Sequence, residues 1–309
     1  LAVAQALGKI SHHAFHRGET RNAILDGFTI TEGWPWRNGV EPLSGGGIAC
    51  SLASPTIRRC RIEGNQASTG GGAWLDSSDA VIEECQFRRN EATSVGVLGG
   101  WGGGLCIERG APVVRNCEFR GNFGESSGGG LSCAYTRAII ENLHIEANSG
   151  FGGAGGIGLG EFHGEVSNCD ILGNHADGGV GGAIIIAGGS AVLRNCRVED
   201  NVSRHGGTID VFGGMTELIG LTIRGNGPLM QFGGGGVTCE SGTVVCRRCV
   251  ISNNSASAGG GLNSRVGGII RAEHCTIAGN YASDGGGIVV TQGKVQLHQC
   301  VLFGNSSPR

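Results

Sequence analysis

Two acidic residues in equivalent strands are the side chains of this sequence best suited to chemistry. Asp76 and Glu108 each end a short apolar run that follows a run of glycines. Neighbouring strands of a sheet lie about 4.8 Å apart, so equivalent positions on adjacent strands would separate the carboxylates by about 5 Å, as in retaining glycosidases. Such a pair also raises one pKa, as a general acid requires. Asp76 and Glu108 are therefore the predicted catalytic residues. The alternatives are two solvated carboxylates or a calcium site.

Aromatic residues gather in the same part of the chain. All four tryptophans, Trp34, Trp36, Trp74 and Trp101, lie in its first third. Trp74 stands two residues before the first carboxylate, on the same strand face. Aromatic faces pack well against the C–H faces of sugar rings. We therefore predict that the four tryptophans and Tyr135 bind substrate, and the alternative is that tryptophans in the loops pack those loops onto the fold.

Loop lengths frame this region. The segments 34–44 and 91–101 each hold eleven residues between strands, whereas the segment 66–69 between them holds four. Two long loops on either side of a short one would form walls beside a floor, and ligands are often bound by loops around such clefts. The sequence predicts a groove over the first four coils of the fold that its repeat specifies.

An internal repeat supplies the elements that position these residues. The motif apolar-x-x-Cys-x-apolar-x-x-Asn first occupies residues 57–65 and recurs down the chain, with leucine in the cysteine position twice. A degenerate copy at 25–33 precedes it. The distance between the cysteine and the asparagine never changes, whereas the distance between copies does. The repeated asparagines are Asn65, Asn90, Asn122, Asn148, Asn174, Asn201, Asn226, Asn254, Asn280 and Asn305.

A second landmark, a glycine run leading into an alternating strand, lies between successive copies, as at 45–50, 70–76 and 285–290. Alternation with period two predicts strands. Several short strands per repeat, without helical periodicity, predict an all-β fold, a parallel β-helix (solenoid) of about ten to eleven coils with no substantial helix. The leucine-rich repeat shares the spacing of the asparagine motif. It continues into a convex segment rich in leucine, however, whereas glycines and the β-branched residues 184–186 follow here.

The repeated asparagines and cysteines are both interpreted as structural. Asparagine tolerates left-handed backbone, and its amide can bond to the next asparagine of a stack. Of the 13 cysteines, most fall on core positions, so we predict mostly free, buried thiols. Disulfide bonds between adjacent coils are the alternative, because the α-carbons of cysteines at equivalent positions would lie about 5 Å apart. Cys106 alone is expected on the outward face.

The repeats resemble those of a known group. The GGGI or GGAI elements at 45–48, 181–184 and 285–288 and the Phe-x-x-Asn elements at 87–90 and 119–122 resemble the paired repeats of chlamydial polymorphic outer membrane proteins. More broadly, residues 24–309 are similar to the right-handed β-helices of the pectin-lyase-like superfamily. The resemblance implies a single-stranded right-handed scaffold. It also implies either polysaccharide lyase or hydrolase chemistry, or the role of a non-catalytic adhesin or passenger-type module.

The charge and hydropathy of the sequence limit the classes of partner that it can bind. A formal net charge of −3 provides no basic field for nucleic acid or for an anionic membrane. No stretch reaches the roughly 20 apolar residues of a membrane span. The expected partners are a polysaccharide or cell-surface glycan and, at the solenoid ends, further repeats, a cap or another chain.

These observations combine into one expectation with two forms. We expect a secreted or cell-surface β-helix that engages an extended polysaccharide in a groove over coils one to four, as a polysaccharide lyase or glycoside hydrolase, or as a non-catalytic adhesin. Residues 1–23 are expected to form an incomplete N-terminal coil and residues 24–309 the repeat domain, as a piece of a longer chain. No motif indicates a cofactor. Calcium binding is an alternative that no motif supports.

Overall fold

The computed structural model describes residues 3–5, 9–10, 13–33, 44–94, 99–228 and 233–308. Within these ranges the regular elements are β-strands, and helices are absent. Strands of successive coils pair in parallel, as Ala73–Asp76 does with Leu105–Glu108. The chain therefore winds as a solenoid of about ten coils. This confirms the predicted all-β parallel β-helix.

The largest sheet has 20 strands and contains two rows, one led by the glycine runs and one preceding the cysteines. The glycine-led row comprises His13–Phe15, Ile48–Ser51, Ala73–Asp76, Leu105–Glu108, Leu131–Ala134, Ile157–Phe162, Leu262–Arg265 and Ile288–Thr291. The second row comprises Val3–Gln5, Ile24–Asp26, Thr56–Arg58, Val81–Glu83, Val113–Arg115, Ile139–Glu141, Glu165–Ser167, Ile269–Glu273 and Lys294–His298. Three strands run through both rows: Ile184–Arg194, Ile209–Ile219 and Val237–Arg247. We number the coils by their glycine-led strands, with Ile48–Ser51 as coil one.

Two further rows complete each coil. A sheet of 12 strands follows the cysteines: Lys9–Ile10, Thr29–Thr31, Arg61–Glu63, Gln86–Arg88, Glu118–Arg120, His144–Glu146, Asp170–Leu172, Arg197–Glu199, Thr222–Arg224, Val250–Ser252, Thr276–Ala278 and Val301–Phe303. Short strands follow the asparagines: Gln66–Ala67, Glu91–Ala92, Phe123–Gly124, Ser149–Gly150, His175–Ala176, Val202–Ser203, Gly227–Pro228, Ser255–Ala258 and Tyr281–Asp284.

Stacked apolar side chains fill the interior. The first residue of a glycine-led strand points inward, and Ile48, Ala73 and Leu105 are each 0% exposed. On another face, the rings of Phe87 and Phe119 stack with centroids 4.6 Å apart. Because every coil repeats the same inward positions, apolar burial continues along the axis and stabilises each coil on its neighbour.

The ten asparagines form a continuous ladder inside the solenoid. Asn65 Nδ2 donates to Asn90 Oδ1 at 3.0 Å and to the carbonyl oxygen of Ile30 at 3.0 Å, and the backbone N–H of Asn65 donates to the same Asn90 Oδ1. The pattern repeats from coil to coil as far as Asn305. Gly33 starts it, because its N–H donates to Asn65 Oδ1 at 2.9 Å.

The left-handed backbone lies one residue before each ladder asparagine. Arg89, Ala147 and Asp200 precede ladder asparagines and have φ values of 51°, 53° and 55°, whereas the ladder asparagines have no positive φ. The expectation that asparagine forms the left-handed turn is therefore wrong. The preceding residue forms the turn, and asparagine contributes an amide that both donates and accepts.

All 13 cysteines are free thiols, 12 of them buried, as predicted. Those of the repeat motif stack on one another, and the N–H of Cys60 points to Cys85 Sγ at 3.4 Å. Burial raises the pKa of Cys133 and of Cys246. The reactive thiolate is therefore disfavoured at these positions.

Replacing a ladder asparagine should destabilise the protein more than replacing an exposed one. Asn174→Ala removes the acceptor of the N–H and Nδ2 of Asn148 and the donor to the carbonyl of Ile145. Each buried polar group left unpaired costs about 1–3 kcal/mol, so urea denaturation should show a loss of roughly 3–6 kcal/mol in the free energy of unfolding. The control is Asn142→Gly, at an exposed position with φ of 55°, which should change it by about 0.5 kcal/mol or less. Equal losses would contradict the prediction.

The free thiols predict a simple titration. Protein unfolded in guanidinium without reductant should expose 13 reactive thiols, because none is consumed in a disulfide. The native protein should react chiefly at Cys300, the one cysteine that is partly exposed. A lower count in the unfolded protein, restored by reductant, would show bridges between coils.

Candidate functional site

Asp76 and Glu108 lie side by side on coils two and three. The parallel register pairs Asp76 with Glu108 and Trp74 with Cys106. Asp76 and Glu108 both point outward and are partly buried. The ladder therefore places the two carboxyl groups on adjacent strands, about 4.8 Å apart along the axis.

Asp76 is engaged by an arginine. Its Oδ1 accepts a bond from Arg109 Nε at 2.7 Å and lies 2.6 Å from Arg109 Nη2. Ser77 Oγ also donates to this oxygen at 3.2 Å. The Asp76 side chain is 15% exposed and that of Arg109 is 59% exposed. The pair fixes the orientation of Asp76, although an ion pair this exposed adds little stability.

Glu108 is held differently from its neighbour. Burial raises the pKa of Glu108, and the negative charge of Asp76 raises it further, while Arg109 and the indole of Trp74 oppose the shift. The Nε1–H of Trp74 is buried and lacks a properly oriented hydrogen-bond partner among the described residues. The two carboxyl groups thus have different environments, which is the arrangement that divides acid and base roles.

An open groove of about 420 Å³ lies over coils three to six. Trp101, Glu108 and Tyr135 of the predicted site line it together with Arg109. Its floor consists of residues with small side chains or none, Ser132, Ala134, Gly158 and Gly160, and Ile185 and Ala187 close the far end. The lining begins one coil beyond Trp74 and Asp76. The groove is therefore displaced along the axis from the one predicted over coils one to four.

Trp101 is anchored at the end of a long loop. Its backbone bridges in parallel to Thr69 and to Ser127, and its carbonyl accepts the N–H of Gly70 at 2.9 Å. The side chain is half-buried at the groove wall. Trp34 and Trp36, the other predicted loop tryptophans, lie outside the described residues.

Tyr135 lies at a corner of its coil, and Cys106 lies in an outward strand row. The strand position equivalent to Glu108 on coil four is Ala134, and Tyr135 follows it at the corner with φ of 54°. Tyr135 is 71% exposed there. Cys106 does belong to an outward row but is 2% exposed. The expectation of an outward-facing Cys106 therefore holds for its row, and the buried thiol belongs to the lining of the groove.

A family model matches most of this chain. The family described as "Right handed beta helix region" matches residues 6–149 and 155–308. The chain belongs to this right-handed β-helix family. The right-handed scaffold implied by the repeats is thereby confirmed. A comparison with curated proteins gives no match.

Two solved structures resemble this β-helix in fold. One is PfbA, a surface adhesin of Streptococcus pneumoniae, with 10% sequence identity and a TM-score of 0.40 over 90% of this chain and 69% of that chain. The other is the A-module of the Azotobacter vinelandii mannuronan C-5 epimerase AlgE6, with 10% identity and a TM-score of 0.31 over 97% of this chain and 89% of that chain. Neither likeness indicates an activity for this β-helix.

Sequence reasoning missed two features of the groove. Arg109 was not distinguished from the other arginines, since only the fold brings it to Asp76. The sequence does indicate Gly158 and Gly160, because they alternate with apolar residues within the strand Ile157–Phe162. Glycine inside a strand often marks a close approach of a ligand or of another backbone.

Metal ligands of the usual kinds are not grouped in the described ranges, where no three His, Cys, Asp or Glu side chains are arranged to hold an ion. In the same ranges, no helix meets the length and hydrophobicity required of a membrane-spanning helix.

The raised pKa of Glu108 predicts a pH-dependent contribution to stability. The pKa of Glu108 in the folded protein lies above the ordinary value of 4.5, so the folded state holds the proton more tightly than the unfolded chain does. Relative to Glu108→Gln, the wild type should be most stable below pH 4.5 and should lose this advantage as the pH rises through the raised pKa. Thermal unfolding of both proteins from acid to neutral pH measures the difference. A difference that is constant with pH would contradict the assignment.

Proposed function

We propose that this β-helix is an extracellular or cell-surface protein that binds an extended polysaccharide in the groove over coils three to six. The observation that carries the proposal is the shape of the groove. Ala134, Gly158 and Gly160 give it a low, apolar floor, and the rings of Trp101 and Tyr135 border it. Apolar clefts with a few polar groups at their edges are the usual form of a small-molecule site.

The chemistry of the groove suits a sugar ring. A pyranose presents apolar C–H faces and a polar edge of hydroxyl groups, and aromatic rings supply large apolar surfaces for such faces. Tyr135, at 71% exposure, is an apolar surface that a ligand would cover. Glu108, Arg109 and Ser132 line the same groove and offer hydrogen-bond partners to the hydroxyl groups.

A second hollow supports a polymeric ligand. It has a volume of about 690 Å³ and is lined by Tyr135, Arg137, Glu161 and His163. Tyr135 therefore borders both hollows. A chain that crosses this ring would contact the two hollows with successive sugar units, which a monosaccharide would not.

Catalysis by Asp76 and Glu108 is the second candidate function. The observation that favours it is the difference between the two carboxyl groups, since Arg109 pairs with Asp76 while burial raises the pKa of Glu108. Glu108 would serve as the general acid, and Asp76 as the nucleophile or base. The competing form of the proposal is an adhesin that binds the polysaccharide without cleaving it.

Filling the groove should weaken binding. A Cβ at Gly160 would meet only Ala134 Cβ, at 4.0 Å, so Gly160→Val places a β-branched residue in a strand with its Cβ in ordinary contact. We expect at least about tenfold weaker binding, or 1.4 kcal/mol, to whichever polysaccharide of a neutral and uronate panel the wild type binds. Calorimetry or retardation in glycan-containing gels measures it.

The control for this variant is Thr291→Val, which introduces valine at an exposed position of the glycine-led strand of coil ten, away from the groove. It should bind as the wild type does. Unchanged binding by Gly160→Val would reject this groove as the site. Loss of binding by Trp74→Ala with Asp76→Ala, but not by Gly160→Val, would move the site back to coil two.

Cleavage is tested with the same panel, with and without added calcium, by measuring new reducing ends and unsaturated products. If the pair is catalytic, Glu108→Gln should lower product formation by about 10²–10⁴-fold while polysaccharide binding persists. Unsaturated products would identify a lyase and saturated ones a hydrolase. Binding by the wild type without any product would reject catalysis and favour an adhesin that binds the polysaccharide without cleaving it.

A further inference from the structure

Three buried oxygen atoms without partners lie in one outward row, beyond the groove. Asp210, Thr238 and Asn263 occupy equivalent positions on coils seven, eight and nine. Their side chains lie under neighbouring turns, and the residues are 1%, 1% and 2% exposed. Asp210 Oδ1, Thr238 Oγ1 and Asn263 Oδ1 each lack a hydrogen-bond partner in the described part of the chain. Buried polar atoms are rarely left in this state.

The Asp210 carboxyl is held in a fixed orientation. Its Oδ2 accepts the backbone N–H groups of Gly181 and Gly207, both at 2.9 Å. These two bonds leave Oδ1 directed toward the row. The hydroxyl of Thr238 is near enough to favour the ionised carboxyl, although Thr238 Oγ1 meets the geometry of a hydrogen bond with none of the described residues.

Among the described residues, the groups that act on the Asp210 carboxyl include no positive side chain. The charged side chain that acts on it is Glu240, which is negative and is itself paired with Arg265 at 2.8 Å. Burial, together with Glu240, raises the pKa of Asp210 to about 7. A buried charge without a counterion is disfavoured, so an ionised Asp210 calls for a positive charge that the described side chains do not supply.

The turn over the row packs closely against two of these oxygens. A Cβ on Gly207 would lie 2.6 Å from Thr238 Oγ1 and 3.3 Å from Asp210 Oδ1. The two oxygens therefore lie against the same glycine, and an ion at the usual distance of about 2.3–2.6 Å from oxygen would bind between them. A Cβ on Gly234 would meet both Thr238 Oγ1 and Asn263 Nδ2, so Asn263 offers Oδ1 to the ion with its amide rotated.

We propose that Asp210, Thr238 and Asn263 form a binding site for a hard cation, such as Na⁺ or Ca²⁺, that ties coils seven to nine together. The donors are a carboxylate, a hydroxyl and an amide oxygen, which hard cations prefer and which soft metals do not. A water molecule would satisfy the oxygens without balancing the charge. A proton on Asp210 would remove the charge but leave Asn263 Oδ1 without a donor.

The experiment measures the thermal unfolding of the full chain after chelation and exhaustive dialysis against a choline buffer. Titration with CaCl₂ or with NaCl should raise the unfolding temperature to a plateau, whereas further choline chloride should not. The ion that acts at the lower concentration identifies the preferred charge. Asp210→Asn and Thr238→Val should need roughly tenfold or more of that ion for the same rise, as expected when a metal ligand is weakened.

The chain offers a matched control for Thr238→Val. Thr216 Oγ1 is also buried and also lacks a partner among the described residues, but Thr216 lies in the second row, paired with Ala191 and Val244. Thr216→Val should therefore keep the full ion response. If Asp210→Asn does not fold, the comparison of Thr238→Val with Thr216→Val still tests whether the ion binds at this row.

Three results would overturn the proposal. The first is the absence of a response to either ion, which would assign the oxygens to water or to a proton. The second is an unchanged response in Asp210→Asn and Thr238→Val, which would place the ion elsewhere. The third is an equal loss of response in Thr216→Val, which would make the effect one of general stability. Polysaccharide binding is a separate readout and is not expected to depend on this cluster.

Discussion

The stacking of asparagine amides inside the solenoid is the constraint on which the rest of this structure depends. Each ladder amide donates to the next asparagine and to a carbonyl of the preceding coil, so a coil cannot shift along its neighbour without leaving buried groups unpaired. This fixes the register of all four rows. Most insertions between copies of the repeat therefore lie in the segments after the asparagines, where the loops leave the stack, and coil nine has one extra residue between Leu262–Arg265 and Ile269–Glu273.

The fixed register is what makes an outer surface of defined chemistry. It brings side chains together that are far apart in the chain, such as Asp76 with Glu108 and Asp210 with Thr238. The loops then decide which of these positions meet solvent. Cys106 and Asp210 lie in an outward row and are buried all the same, whereas the glycines of coil five leave the adjacent stretch open as a groove.

Cross-coil ion pairs are common on this surface, and they bear on how the two candidate carboxyl groups are interpreted. Arg115 with Glu83 and Arg197 with Asp170 are paired between adjacent coils at 2.6 and 2.9 Å. The pair of Arg109 and Asp76 also joins adjacent coils, although the register partner of Asp76 is Glu108 and Arg109 follows Glu108 at the corner. Glu108 departs from this pattern, since burial and a neighbouring negative charge act on it, and this makes Glu108 the more informative residue of the two.

The sequence by itself determined the scaffold, because the constant spacing between cysteine and asparagine and the glycine-led alternation each repeat often enough to exclude other periodicities. It also determined that Asp76 and Glu108 occupy equivalent positions, since equivalence depends only on register. Tertiary structure alone decided the location of the groove, the ion pair of Arg109, the corner position of Tyr135 and the burial of Cys106. These depend on how loops of unequal length cover the outward rows, and loop paths follow from packing that no local pattern encodes.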